Sequence, residues 1–386
     1  MSGLEIVDAR LIRSETLLAR VWRGSAGVVE WAWDWSFGLV SMVVGLAILA
    51  TFPLLQFISL GYLLEVGGRV ARSGRLRDGL IGIRRAARVG SMALGCWLCL
   101  WPLRFTSDLL YSSWLIDPGS PATGGCRLAL IVLTVLITVH LAWACFRGGR
   151  LRHFLWPQPL VAWRRWRRGG IYVEARDGVW DFLVSLRLGY FFWLGLGGFV
   201  GAFLWLFVPV TLLIAAFQLP PAAGVLAGLL GGWLLALVAL ALPLLQTQFA
   251  AERRWRAFFE LRTAWGLFRR APLASWFSLL VLLLFALPLY LLKIEFLQRE
   301  VAWLPSLVFV AFIAPARLLC GWALGRARRR LQPRFFLSWL TALPAMVPIG
   351  LIYVFIVYLS RYTSWYGSWS LFEQHAFLLP VPFLGL

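Results

Sequence analysis

Cys96-Trp-Leu-Cys99 sets two thiols one helical turn apart, a spacing at which a dithiol can be oxidised or can pass electrons to another dithiol. The sequence holds no second such pair, because Cys126, Cys145 and Cys320 each stand alone. The pair therefore reads as buried apolar packing. His140 lies near Thr134 and Thr138 in an otherwise apolar run and reads as a hydrogen-bonded packing residue, since a metal site needs further ligands. Glu65, Asp78, Glu174, Asp177 and Asp181 could serve a lipid-modifying enzyme if they gathered at the headgroup level as general acids and bases. Asp78-Gly79 lacks the further aspartates that a two-metal site requires. A Gly-rich phosphate loop ending in Lys, a His-Glu-x-x-His motif and a Ser–His pair on facing spans are all missing. No catalytic, cofactor-binding or metal-ligating set is assigned.

The charged residues say more. Trp163 to Arg168 is the densest cluster, and its Arg164, Arg165, Trp166, Arg167 and Arg168 suit an anchor with Trp at the headgroup level and Arg on lipid phosphate. Leu76, Leu80, Ile83 and Ala87 share one helical face, with Arg77, Arg84, Arg85 and Arg88 on its flank and back. This pattern predicts a surface-lying helix over 75–88, apolar side toward lipid. Both clusters are candidate contacts for anionic headgroups or for a membrane or cytosolic protein partner. Nucleic acid is not expected despite the net charge of +20, because anionic lipid supplies the counter-charge at about 1 kcal/mol per basic residue near the surface. Lys293 is the only lysine, which fits a GC-rich genome, although Arg also binds phosphate bidentately. Glu252, Arg256 and Glu260, four residues apart, predict a helix continuing beyond residue 252 until Pro272 stops it.

Long apolar runs must position these groups. The chain is 61% hydrophobic with a mean hydropathy of +0.78. Eight uncharged stretches, roughly 37–64, 89–103, 128–146, 188–217, 222–250, 271–292, 301–316 and 335–360, approach the ~20 residues that cross a bilayer. The second and seventh, at 15 and 16 residues, are short. The gaps after the first, third, fifth and seventh stretches hold seven, nine, six and six basic residues, and the rest of the chain holds nine. Excess Arg marks the cytoplasmic side. The expectation is an all-α polytopic transmembrane bundle of about eight spans, arranged as four inward-pointing hairpins with both termini outward. A re-entrant hairpin turned at Pro53 is the rival for 37–64, and would keep the amino terminus inside. No cleavable signal is expected ahead of residue 37.

Three segments follow: an interfacial arm over 1–36, one helical domain over 37–360, and an aromatic-rich tail over 361–386 carrying Tyr362, Trp365, Tyr366 and Trp369. Gly197 and Gly201, and Gly224, Gly228 and Gly232, recur every four residues, the small-residue spacing that lets helices pack closely. The two ridges lie at different depths and are expected to meet different partners. Pro53-Leu-Leu-Gln56 and Pro243-Leu-Leu-Gln246 suggest an internal repeat. As drawn, no span contains Asp, Glu, Lys or Arg, which argues against a proton- or sodium-coupled pump.

Gly61-Tyr-Leu-Leu-Glu65, followed by Arg69, Gly74 and the basic segment, resembles a family of bacterial polytopic membrane proteins of unknown function over about residues 50–105. The resemblance implies a bacterial cytoplasmic (inner) membrane and no activity. The function expected is a membrane scaffold or accessory subunit without a catalytic centre, docking through its basic loops. A carrier for lipid or another amphipathic solute is the alternative, and would need a polar cleft converging on His140, Gln56 or Gln246.

Overall fold

A computed structural model of the chain describes residues 32, 35–292, 303–332, 336–360 and 371–372. The expectations for the arm before Trp35 (apart from Ala32), for Lys293 and for the aromatics of the tail lie outside the described residues. The fold is all-helical, with 88% helix and no strand among the described residues. Six helices are long and apolar enough to cross a membrane, or seven if a pair meeting at 106° forms one broken span, against the eight stretches read from the sequence.

The residues group into two compact units, Met1–Met42 with Gly82–Leu186, and Val43–Ile81 with Arg187–Leu386. In the first, α3 (Ile83–Ile116) and α4 (Pro121–Phe146) form a long hairpin. Its turn follows from local chemistry: the Asp117 carboxylate accepts from the Gly119 amide, Ser120 caps α4 by accepting from the Thr123 amide, and Pro121 occupies the first helical position. The second stretch was short because charge bounded it. The helix instead runs through Arg84, Arg85 and Arg88 at one end and Asp108 at the other, 34 residues in all. Three further helices complete the unit, α5 (Leu151–Leu155), α6 (Pro159–Arg168) and α7 (Ile171–Leu186).

The first apolar stretch does not form one helix. α1 (Trp35–Ala50) ends before Pro53, and α2 (Gln56–Ser73) begins after it. The chain folds back at this break, so that the Ser59 hydroxyl donates to the Leu46 carbonyl at 2.7 Å. α2 then becomes the hub of the second unit, which also holds α8 (Leu188–Ala216), α9 (Pro221–Glu252), α10 (Leu261–Arg270), α11 (Pro272–Leu292), α12 (Trp303–Arg329) and α13 (Phe336–Ser360). Glycine makes the hub possible. A β-carbon on Gly61 would sit 1.8 Å from the Phe191 carbonyl oxygen of α8, and one on Gly195 would sit 1.9 Å from that of Phe57. Gly68 faces Ala250 of α9, and Gly67 abuts the backbone of Arg317 in α12.

The expected helices over 75–88 and 252–270 are both corrected. α2 ends at Gly74 in the left-handed region (φ 67), Arg75 is extended, and Leu76–Gly79 forms a 3-10 turn. Gly79 is wedged against Leu318 and Val70, and a left-handed Gly82 (φ 70) precedes α3. α9 ends in the same way, at left-handed Arg253 (φ 57), extended Arg254 and a 3-10 turn over Trp255–Phe259. Burial explains this second break, since Ala257 and Phe258 turn fully inward. The two helix ends thus share one local conformation, with Arg75-Leu-Arg77 at the position of Arg254-Trp-Arg256. The two Pro-Leu-Leu-Gln segments are not equivalent: Pro53 lies in a break, whereas Pro243 lies within α9.

Candidate functional site

Glu65 is the one buried acidic side chain among the described residues, 1% exposed in the middle of α2. The uncharged run ends immediately before it, so the sequence places it at a loop entrance, but the helix continues for another two turns. Arg69 and Arg72 follow at offsets of four and seven on the same helical face. Arg69 Nε donates to Glu65 Oε1 at 3.1 Å and Arg72 Nη2 at 2.7 Å. Arg253 Nη2 reaches the same oxygen from the end of α9 at 3.5 Å. Tyr190 of α8 donates its hydroxyl to Oε2 at 2.7 Å. Both carboxylate oxygens are thus occupied, by donors from three helices.

The second guanidinium nitrogen of Arg72 donates to the Ala250 and Ala251 carbonyls at 2.9 and 3.1 Å. These belong to the last turn of α9, where carbonyls lose their helical partners and the helix dipole is negative. Arg187 and Arg253 each place a guanidinium against the Tyr190 ring, at 4.7 and 5.1 Å from its centre. Both residues take left-handed backbone conformations, at φ 53 and φ 57. That costs a non-glycine residue roughly 1–2 kcal/mol, and here it accompanies a shared stack on one ring. A single carboxylate pairs with three guanidinium groups, and a fourth, that of Arg187, lies on the Tyr190 ring, so the cluster carries surplus positive charge.

Around this clasp, residues from all four arginine-rich gaps meet at one end of the second unit. Arg328 donates to Glu252 at 2.6 Å, Arg329 to the Ser73 carbonyl, and Arg330 to the Arg270 carbonyl at 3.2 Å. Arg253 and Arg187 complete the set at Tyr190. Arg317 corrects the expectation of charge-free spans. α12 does not stop at residue 316 but carries Arg317 inside a candidate span, 1% exposed.

The sequence-named basic residues lie elsewhere. Arg77 is exposed on the first 3-10 turn, and Arg84, Arg85 and Arg88 are exposed on the first turns of α3. Arg85 donates to the Ser185 carbonyl. Arg164 and Arg167 are exposed on α6, the latter 5.1 Å over the Trp163 ring. Arg165, Trp166 and Arg168 share that helix, and their side chains lie outside the described residues. Gly197 and Gly201 face Phe249 and Phe258. Gly224 and Gly228 face Ala216 at the end of α8, and Gly232 faces Val354 of α13.

Other sequence-named candidates make local contacts. His140 pairs through Nε2 with the Phe154 carbonyl at 2.7 Å, and the Cys99 thiol approaches the same oxygen at 3.9 Å. Gln56 and Gln246 are buried within the second unit. Asp177 pairs with its neighbour Arg176 at 2.9 Å, and no group of three His, Cys, Asp or Glu among the described residues is placed to hold a metal ion. Tyr190, Arg187 and Arg253 carried no signal that would single them out. The Glu65–Arg69–Arg72 spacing did, once the helix is known to continue. No family model matches the chain. No curated protein and no solved structure shows a significant match to it.

Proposed function

We propose that this is a multi-pass protein of a bacterial cytoplasmic membrane that acts as a non-catalytic scaffold or accessory subunit, docking through its exposed basic segments. One observation carries the reading: the buried carboxylate is saturated. A carrier or an acid–base catalyst needs a polar group whose partner changes during the cycle. Glu65 instead receives three arginines and a tyrosine, which ties α2, α8 and α9 together. The convergence of the four arginine-rich gaps on one end of the second unit supports a single cytoplasmic face. Arg84, Arg88, Arg164 and Arg167 form no ion pair among the described residues and are exposed, which suits them to an acidic partner.

The test is purification in mild detergent at low salt. A partner should co-purify in fixed stoichiometry and be lost from a variant carrying Arg84→Glu, Arg88→Glu, Arg164→Glu and Arg167→Glu. Absence of any reproducible partner, or a partner retained by that variant, would contradict the proposal.

A further inference from the structure

Two cavities of about 300 and 290 Å³ adjoin at the carboxy-terminal end of α12 and share Trp322, Arg326 and Arg330. Their linings differ in character. The larger is completed by Ala271, Leu273, Ala274 and Phe277, from the start of α11. The smaller is completed by Gly74 and Arg329. One groove therefore runs from a cationic end to an apolar end within a single compact unit.

Among the described residues, the cationic end has no counter-charge of its own. Arg326 stacks on Trp322 at 5.7 Å and is exposed. Arg329 and Arg330 spend one donor each on the Ser73 and Arg270 carbonyls. None of the three forms an ion pair with a carboxylate among the described residues, whereas the adjacent Arg328 does, with Glu252. Each guanidinium carries five N–H donors in a planar fork that matches phosphate oxygens. Gly74 keeps the space open: a β-carbon there would collide with the Arg329 guanidinium.

The apolar end lies where α10 meets α11 at 106°. Leu273 and Phe277 are half exposed there, beside Trp322, a residue type that favours the headgroup boundary. A soluble anion would have no use for this hydrocarbon wall, and an uncharged lipid none for three unpaired arginines. We propose that this groove binds one anionic glycerophospholipid, with its phosphate on Arg326, Arg329 and Arg330 and one acyl chain along Ala274 and Phe277. The inference is independent of the scaffold reading, because a bound lipid requires no protein partner.

Delipidated protein titrated with dioleoylphosphatidylglycerol or dioleoylphosphatidylcholine, with bound lipid counted by native mass spectrometry, tests it. Dioleoylphosphatidylglycerol should be retained at least ten-fold more tightly. Arg326→Gln, which removes an exposed side chain that stacks on Trp322, should weaken that retention about five-fold. Arg330→Lys, which keeps charge and a donor for the Arg270 carbonyl, should weaken it less. Equal binding of the two lipids, or unchanged retention by Arg326→Gln, would overturn the proposal. So would displacement of the lipid by millimolar inorganic phosphate, which would identify the groove as a site for a free anion.

Discussion

The value of Glu65 depends on its partners being removed one at a time. Glu65→Gln leaves Arg69, Arg72 and Arg253 without their shared counter-charge and should destabilise the protein by about 3 kcal/mol, the range for breaking a buried ion pair. Arg69→Gln, at a side chain 39% exposed, should cost no more than ~1 kcal/mol. Thermal unfolding in detergent separates the two, and equal effects would show that the carboxylate does not organise the cluster. His153 gives a second, pH-dependent reading. Burial lowers its proton affinity first, and the nearby Arg147, Arg152 and Arg150 lower it further. Its Nδ1 is buried without a hydrogen-bond partner, consistent with a neutral ring. The unfolded chain then binds the proton more tightly than the folded one. Stability is complete above the ordinary value of about 6.5 and is lost as pH falls through it toward the depressed folded value. The wild-type melting temperature should therefore fall more between pH 7.5 and pH 5.0 than that of His153→Asn; parallel falls would place the titration elsewhere.

At the scale of the element, close approach and helix breaks decide the architecture. Gly61→Ala would drive a β-carbon into the Phe191 carbonyl of α8, a backbone atom that yields only if the helices separate. A loss above about 2 kcal/mol is expected. Gly45→Ala in α1 meets nothing within 4 Å and should be neutral or slightly stabilising by the ordinary helix preference for alanine. Comparison of their unfolding midpoints checks the hub role of α2, which similar effects would contradict. Much of this was visible in the residues. The runs behind α8, α9 and α13 mark those helices closely. The run behind α4 starts at 128 rather than at Pro121 because Arg127 bounds it, and Asp117-Pro-Gly-Ser-Pro121 specifies its turn. Helix extents stayed hidden for one physical reason: a charged residue need not end a helix, and α3 already runs through Arg88 and Asp108. α2 carries Glu65 and α12 carries Arg317 in their interiors, where neighbouring helices replace solvent. The breaks at Gly74 and Arg253 were missed because four-residue periodicity ignores a buried 3-10 turn. Gly79, Ala257 and Phe258 fix those turns by tertiary packing, and Gly82 contributes its left-handed backbone.

For the whole molecule, the account rests on a charge asymmetry that a membrane can read. Twenty more positive than negative charges would be unfavourable on a free globule. They become ordinary if, as proposed, the four basic segments face anionic headgroups on one side. The clasp at Glu65, the arginine contacts at the ends of α2, α9 and α12, and the groove at Trp322 all gather at that end of the second unit. The proposed topology assigns the turns at Asp117–Ser120 and Gln218–Pro220 to the opposite side of the membrane. Cysteine accessibility tests this directly. In a background with the five native cysteines replaced, single cysteines at Arg75, Arg164, Arg262 and Leu331 should resist a membrane-impermeant maleimide in intact spheroplasts and react after permeabilisation. Cysteines at Gly119 and Leu219 should react without permeabilisation. If any two of the first four label from opposite sides of the membrane, the common cytoplasmic face does not exist and the account fails.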